Sequence, residues 1–251
     1  MLNRADIILP KENNADLDYN FGSLLHGYIM ENIGDYADAL HAQGIKPYSQ
    51  FVFYDKNQDC YVWRINTLSK SAYENIILPL KESVKKGIHI KNKNCDLVYT
   101  KILEYKQTDG NEFLKQYYKE NEAKKSICVK FVTPCSFSSF KEHVFVPDIR
   151  LTVKSLMSKA EAYMEVSVKD EDALNALIEN VKLKEYSIKS TVYYLNTVKI
   201  KSFIGSVTYS LEGPDMLRRL AAMLFAYGEY SGIGVKSAQG MGGIEILNFG
   251  G

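Results

Sequence analysis

The chain has 251 residues, 46% of them apolar, and a formal net charge of +1. That length holds one large domain or two small ones with real cores, and the composition excludes an intrinsically disordered chain. The longest apolar runs, such as Leu220–Ala226, are far too short to span a bilayer, so no membrane contact and a cytoplasmic location are expected.

Met1–Pro10 carries Arg4 and Asp6 inside a brief apolar pattern and lacks the plan of a signal peptide. Ile7–Leu9 reads as a first strand. From Phe21 to Leu40, apolar residues at three- and four-residue steps (Leu24, Leu25, Tyr28, Ile29, Ile33, Tyr36, Ala37, Leu40) predict one helix. Gly44 and Pro47 break the chain, and Phe51–Tyr54 with Tyr61–Ile65 alternate about a polar loop as a hairpin. Helical spacing returns over Ser71–Val84, and Gly87–Tyr105 is rich in strand formers. Strand, helix, two strands, helix, strand is the order of a ferredoxin-like unit.

The charged stretch Lys115–Lys125 has no strong apolar pattern and marks the expected boundary between domains at 1–120 and 121–251. Beyond it, Ile127–Val132 reads as a strand, Pro134–Pro147 as a long loop or hairpin, and Ile149–Tyr163 as a helix. Val192–Val198 with Phe203–Leu211 suggests a hairpin, Asp215–Tyr227 a helix entered from Pro214, and Gly242–Phe249 a closing strand. The second half thus repeats the first more loosely. The predicted class is α+β, two tandem ferredoxin-like βαββαβ domains.

Cys60, Cys95, Cys128 and Cys135 are scattered without a C-x-x-C pair, and the four histidines lack metal-ligand spacing, so neither a metal nor a disulfide framework is expected. Acids, Asp16 among them, dominate between Lys11 and Ile45. Lysines cluster at 81–93, 124–130 and 182–201, where a polyanion could lie, although solvated faces would look the same.

The most informative segment is Gly232–Gly243, with five glycines in twelve residues between a helix and a strand. Such a backbone must turn tightly or approach something closely. Exposed N–H groups there, with Lys236 and Ser237, would suit a phosphate. It is not a P-loop, because Val235 separates Gly234 from Lys236, and not a dinucleotide fingerprint, because position 237 is Ser and the helix precedes the strand. No nucleotide cofactor is therefore expected.

Ala226–Ile246 (AYGEYSGIGVKSAQGMGGIEI) closely resembles the C-terminal signature of the repeat-processing endoribonucleases of CRISPR systems, the Cas-six family of the RAMP superfamily. Leu24–Met30 (LLHGYIM), Leu40–Ser49 (LHAQGIKPYS), Phe131–Phe137 (FVTPCSF) and Phe203–Tyr209 (FIGSVTY) resemble further segments of that family. The resemblance implies an enzyme that cuts precursor CRISPR transcripts within their repeats, without metal. In such an enzyme the 2′-hydroxyl attacks the adjacent phosphate and leaves a cyclic phosphate and a 5′-hydroxyl.

The same resemblance places His41 at the family's catalytic histidine and Lys46 at the lysine of the following loop, where an ammonium stabilises developing charge. Without it, His41 would read as a helix C-cap. Some members use a tyrosine on the first helix, and the matching position here is Met30. Tyr28 faces elsewhere, and Tyr36 has no motif behind it. His26, four residues from Met30, is the second candidate catalytic residue, to be weighed against a hydrogen-bonded core histidine. RNA binding is expected from Gly232, Gly234, Lys236, Ser237, Gly240 and Gly242 with Lys189, Lys199 and Lys201. Tyr193 and Tyr194 read as cross-strand packing or as stacking platforms. The alternative function is a non-catalytic RAMP subunit that only holds guide RNA. Dimerisation and contact with an effector complex stay open.

Overall fold

The computed structural model describes residues 1–14, 17–105, 108–119, 123–164 and 170–250. Asp16 and part of the expected domain boundary, residues 120–122, lie outside the described residues. In the first sheet β1 (Asn3–Pro10) is central. It pairs antiparallel with β3 (Cys60–Thr67) on one side and β6 (Lys101–Glu104) on the other, and β2 (Tyr48–Asp55) flanks β3. The strands β4 (Ile88–Ile90) and β5 (Cys95–Leu97) form a separate hairpin, so only the end of the strand-rich stretch Gly87–Tyr105 joins the sheet.

The second sheet has β7 (Ser126–Cys135) between β11 (Val198–Leu211) and β12 (Ile244–Gly250), with β10 (Val181–Leu195) outside β11. Both sheets share one spatial order, second–third–first–fourth, as two ferredoxin-like units require. The segment expected as loop or hairpin is a hairpin of β8 (Phe137–Ser139) and β9 (Glu142–Val144).

The single helix expected over Phe21–Leu40 is two, α1 (Phe21–Asn32) and α2 (Tyr36–Ala42). Gly34 adopts φ +54° between them. Periodicity runs through the break because Ile29, Ile33 and Leu40 all enter the same core. A chain of helical turns follows β3: α3 (Lys70–Ala72), a π-helical segment (Tyr73–Ile77) and α4 (Leu78–Lys86).

Two further helices carried no strong signal. α5 (Gly110–Lys119) runs into the start of the Lys115–Lys125 stretch that looked patternless. It buries one narrow stripe, with Phe113 and Tyr117 packing into the second half's core. α7 (Glu171–Asn180) buries only Leu174 and Leu177 and is capped by the Asp170 carboxylate. α6 (Ile149–Tyr163), capped by Asp148, matches its predicted span, and α8 (Asp215–Ser231) runs one turn further than predicted.

α8 joins the halves. The last carbonyls of a helix lack intrahelical partners, and here side chains supply them. The Glu229 carbonyl accepts from Arg4 and Asn66, and the Tyr230 carbonyl accepts from Ser49 at 2.6 Å. No helix among the described residues is long and apolar enough to cross a membrane.

Candidate active site

The glycine-rich segment leaves α8 at Gly232 and runs as a folded loop into β12, beside β7. Its tightest point is Gly242 (φ +65°), where a Cβ would stand 1.9 Å from the Ile233 carbonyl oxygen. The amide of Gly234 donates to Ser155 Oγ, that of Val235 to the Ser136 carbonyl, and that of Gly242 to the Pro134 carbonyl. Gly232 likewise donates to Gly228. The expectation that Gly232, Gly234 and Gly242 offer exposed amides to a phosphate is therefore corrected: these amides are spent on closing the loop. Its outward part is Lys236, exposed and left-handed (φ +59°), followed by the short helical turn Ser237–Gln239.

Across from this turn lies the loop between α2 and β2. Together they enclose a pocket of about 390 Å³ lined by His26, residues 44–46, Lys159 and residues 234–239. No carboxylate among the described residues lines it.

His26, on α1, is largely buried, and its Nδ1 lies 2.7 Å from the Tyr48 hydroxyl. Burial, then the nearby charges of His41, Lys46 and Lys236, push its pKa down to about 4, against a backbone hydrogen bond with Ala238. His26 is therefore a neutral imidazole at physiological pH. His41 is exposed at the end of α2, close enough for its charge to act on the His26 ring. The Lys46 ammonium donates to the carbonyls of Leu40 and Gln43, so it ties down the end of the helix that carries His41.

His41 does not itself line the pocket, but His26, lysines and a glycine-rich turn meet there, and this arrangement can be set beside known proteins. The family model described as CRISPR-associated endoribonuclease Cas6 matches residues 129–244, from within β7 to the start of β12. Over 227 residues, 90% of this chain and 71% of the relative, the sequence is 30% identical to the CRISPR-associated endoribonuclease Cas6 of Mycobacterium tuberculosis. The chain belongs to the Cas6 family.

It is also 28% identical to the Cas6 of Streptococcus thermophilus, over 88% of this chain and 89% of that one. In fold it is similar to a solved Cas6 product complex (TM-score 0.82, 17% identity, 98% and 100% of the two chains). Another solved structure of that same Cas6, from Thermus thermophilus, is also similar (TM-score 0.73, 16% identity, 98% of each chain).

Within this Cas6 framework, α6 is a contributor that sequence reasoning missed. Ser155, Lys159 and Tyr163 fall at four-residue steps, so they share one face of the helix. Ser155 accepts from the Gly234 amide at 2.9 Å. The Lys159 ammonium donates to Ser231 O (3.1 Å), Gly232 O (3.0 Å) and Ser237 Oγ (3.1 Å). The Tyr163 hydroxyl donates to the Ile45 carbonyl in the loop after His41. One helix face thus sets the glycine-rich loop against the His41 loop.

The remaining candidates separate. Lys189 is paired with Ile204, Lys199 with Tyr194 and Lys201 with Val192. Opposite residues of an antiparallel pair share a face, and faces alternate along a strand. Lys199 and Lys201 therefore lie on one face of the β10–β11 ribbon and Lys189 on the other, beside Lys56 and Lys130. Tyr193 is buried and its hydroxyl donates to the Gln239 carbonyl, so it packs beneath the glycine-rich loop, whereas Tyr194 stays half exposed. Tyr28 is buried with its hydroxyl on the Gly87 carbonyl, and Met30 packs against the first core. In the first lysine cluster, Lys81, Lys85 and Lys91 form ion pairs with Glu104, Glu82 and Glu31.

Proposed function

We propose that this Cas6-family chain cleaves the repeats of a precursor CRISPR transcript to release guide RNAs, by metal-independent transphosphorylation. His41 takes the proton of the 2′-hydroxyl upstream of the scissile phosphate, and that oxygen forms a bond to phosphorus. The bond from phosphorus to the 5′-oxygen breaks and that oxygen takes up a proton. The products are a 2′,3′-cyclic phosphate and a 5′-hydroxyl. Lys46 and Lys236 stabilise the added negative charge of the phosphorane. His26, neutral and held by Tyr48, orients the RNA.

The observation that carries this reading is the pocket in which His26, Lys46, Lys159 and Lys236 converge with no lining carboxylate among the described residues, and with His41 near enough for its charge to act on His26. Imidazole and ammonium groups suit acid–base work on a phosphodiester, while divalent magnesium or calcium would call for carboxylate oxygens.

The test is incubation of the protein with end-labelled repeat RNA from its own CRISPR array, with and without chelator. Single-site cutting unaffected by chelator, with cyclic phosphate and 5′-hydroxyl ends, is expected. His41→Ala should slow cutting by about 10²–10⁴-fold, the usual worth of a general acid or base, while RNA still binds. Cutting by that variant at the normal rate would remove His41 from the reaction. Binding without cutting by the unaltered protein would leave a guide-RNA holder.

A further inference from the structure

Lys159 is 8% exposed, yet it lines the pocket. Its neighbours are two carbonyls, a hydroxyl and the buried Cys135 thiol, and no carboxylate among the described residues pairs with it. A buried cation without a counter-ion is costly, and burial accordingly pushes its pKa down to about 8. Capping α8 does not by itself require a charge, because a serine or asparagine could bond the same carbonyls.

The hydrogen-bond geometry says what the charge does. An ammonium has three donors and no acceptor, and its three contacts use all three. Ser237 Oγ must therefore accept from Lys159, which leaves the serine's own hydrogen pointing away from the lysine. Ser237 lines the pocket beside Lys236, with His26 and Lys46 across from it.

We infer that Lys159 is a positioning residue for an RNA phosphate: its ammonium orients the Ser237 hydroxyl as a donor into the pocket and supplies positive charge that the phosphate neutralises. Ser155 and Tyr163, on the same face of α6, hold the two walls at the spacing this needs. The inference rests on reading the pocket as the RNA site and deepens it by naming the phosphate's partner.

The test is equilibrium binding of 2′-O-methylated repeat RNA, which lacks the attacking hydroxyl and so is not cut, over a range of salt concentrations. The proteins compared are the unaltered chain, Lys159→Met, Lys159→Arg, Ser237→Ala and the Lys159→Met/Ser237→Ala pair. Lys159→Met should weaken binding about tenfold and flatten the slope of log K against log salt by about 0.7, the share of one single-stranded phosphate. Ser237→Ala should weaken binding several-fold, and the pair should bind no worse than Lys159→Met alone. Lys159→Arg should keep the slope.

A Lys159→Met protein that melts earlier but binds with unchanged affinity and slope would overturn the inference and reduce the lysine to a helix cap. If that variant does not fold, Ser237→Ala decides, since binding at the unaltered affinity would exclude the serine as a phosphate donor. Cleavage is read separately on unmodified RNA. A chain that cuts while Lys159→Met keeps full affinity sinks this inference alone, and a chain that binds with the predicted slopes but never cuts sinks only the nuclease reading.

Discussion

Gly22 and Gly240 meet backbone to backbone: a Cβ on Gly22 would stand 2.6 Å from Gly240 Cα, and one on Gly240 would stand 2.7 Å from Gly22 Cα. The first turn of α1 therefore sits directly on the glycine-rich loop. His26 lies one helical turn beyond Gly22, so this contact fixes how far the imidazole stands from Ser237 and Ala238. Gly22→Ala isolates the effect, because Gly22 is helical and Ala is otherwise favoured there. It should cost about 1–3 kcal/mol through overpacking and slow RNA cleavage at least tenfold. Thermal unfolding and single-turnover cleavage check this, and a variant as stable and as fast as the parent would show that the contact yields freely.

A second link between the halves is Gln50, fully buried on β2. Its Nε2 donates to Gly22 O at 2.6 Å and to Ala238 O at 3.0 Å, and its Oε1 accepts from Trp63 Nε1 at 3.0 Å. Gln50→Leu would keep the volume, strand the Trp63 indole N–H and remove one hydrogen bond from each of two carbonyls at a buried position. Each unsatisfied buried group costs about 1–3 kcal/mol, so a loss of at least about 2 kcal/mol is expected in urea unfolding. A loss below half a kcal/mol would mean that water replaces the amide.

These contacts explain what was legible in the sequence. Hydrophobic periodicity marked α6 and α8, and the glycine content of 232–243 announced close approaches, because those signals are local. The partners of the approaches were not legible. Gly22 reads as a neutral helix residue, Gln50 and Tyr48 as ordinary strand residues, and Lys159 as one more solvated lysine between Ser158 and Ala160. Their roles depend on partners as far as 218 positions away along the chain, which no local period encodes. The break at Gly34 was hidden for the opposite reason: both helices face one core, so the period passes through it. α5 and α7 each bury so narrow a stripe that charge on the other faces obscured it.

Lys46 holds two positions at once, lining the pocket and tying down the end of α2 through the Leu40 and Gln43 carbonyls. The tie is solvent-accessible, so water can replace it. Lys46→Met should therefore cost no more than about 1 kcal/mol of stability. Its loss of a cation beside the phosphorane should slow cutting far more, by about 10²–10³-fold, the size seen when one charge-stabilising donor is removed. Lys46→Arg should recover most of the rate. A rate loss equal in Met and Arg variants would point to the helix tie and away from the charge.

The neutral state of His26 has a consequence for stability against pH. Its folded pKa, about 4, lies below the value of about 6.5 expected for an unfolded histidine. Between those values the unfolded chain binds a proton that the folded chain refuses, so stability rises with pH across the window. The contribution is fully present above about pH 6.5 and is lost as pH falls towards about 4, amounting to about 2 kcal/mol once screening of the neighbouring cations is allowed for. His26→Asn keeps a polar partner for Tyr48 and cannot titrate, so its unfolding free energy should fall less steeply than the parent's between pH 6.5 and 4. Urea titrations of both proteins across that range measure the difference. Parallel curves would mean that His26 takes up its proton as readily in the folded chain as in the unfolded one, and its lowered pKa would be ruled out.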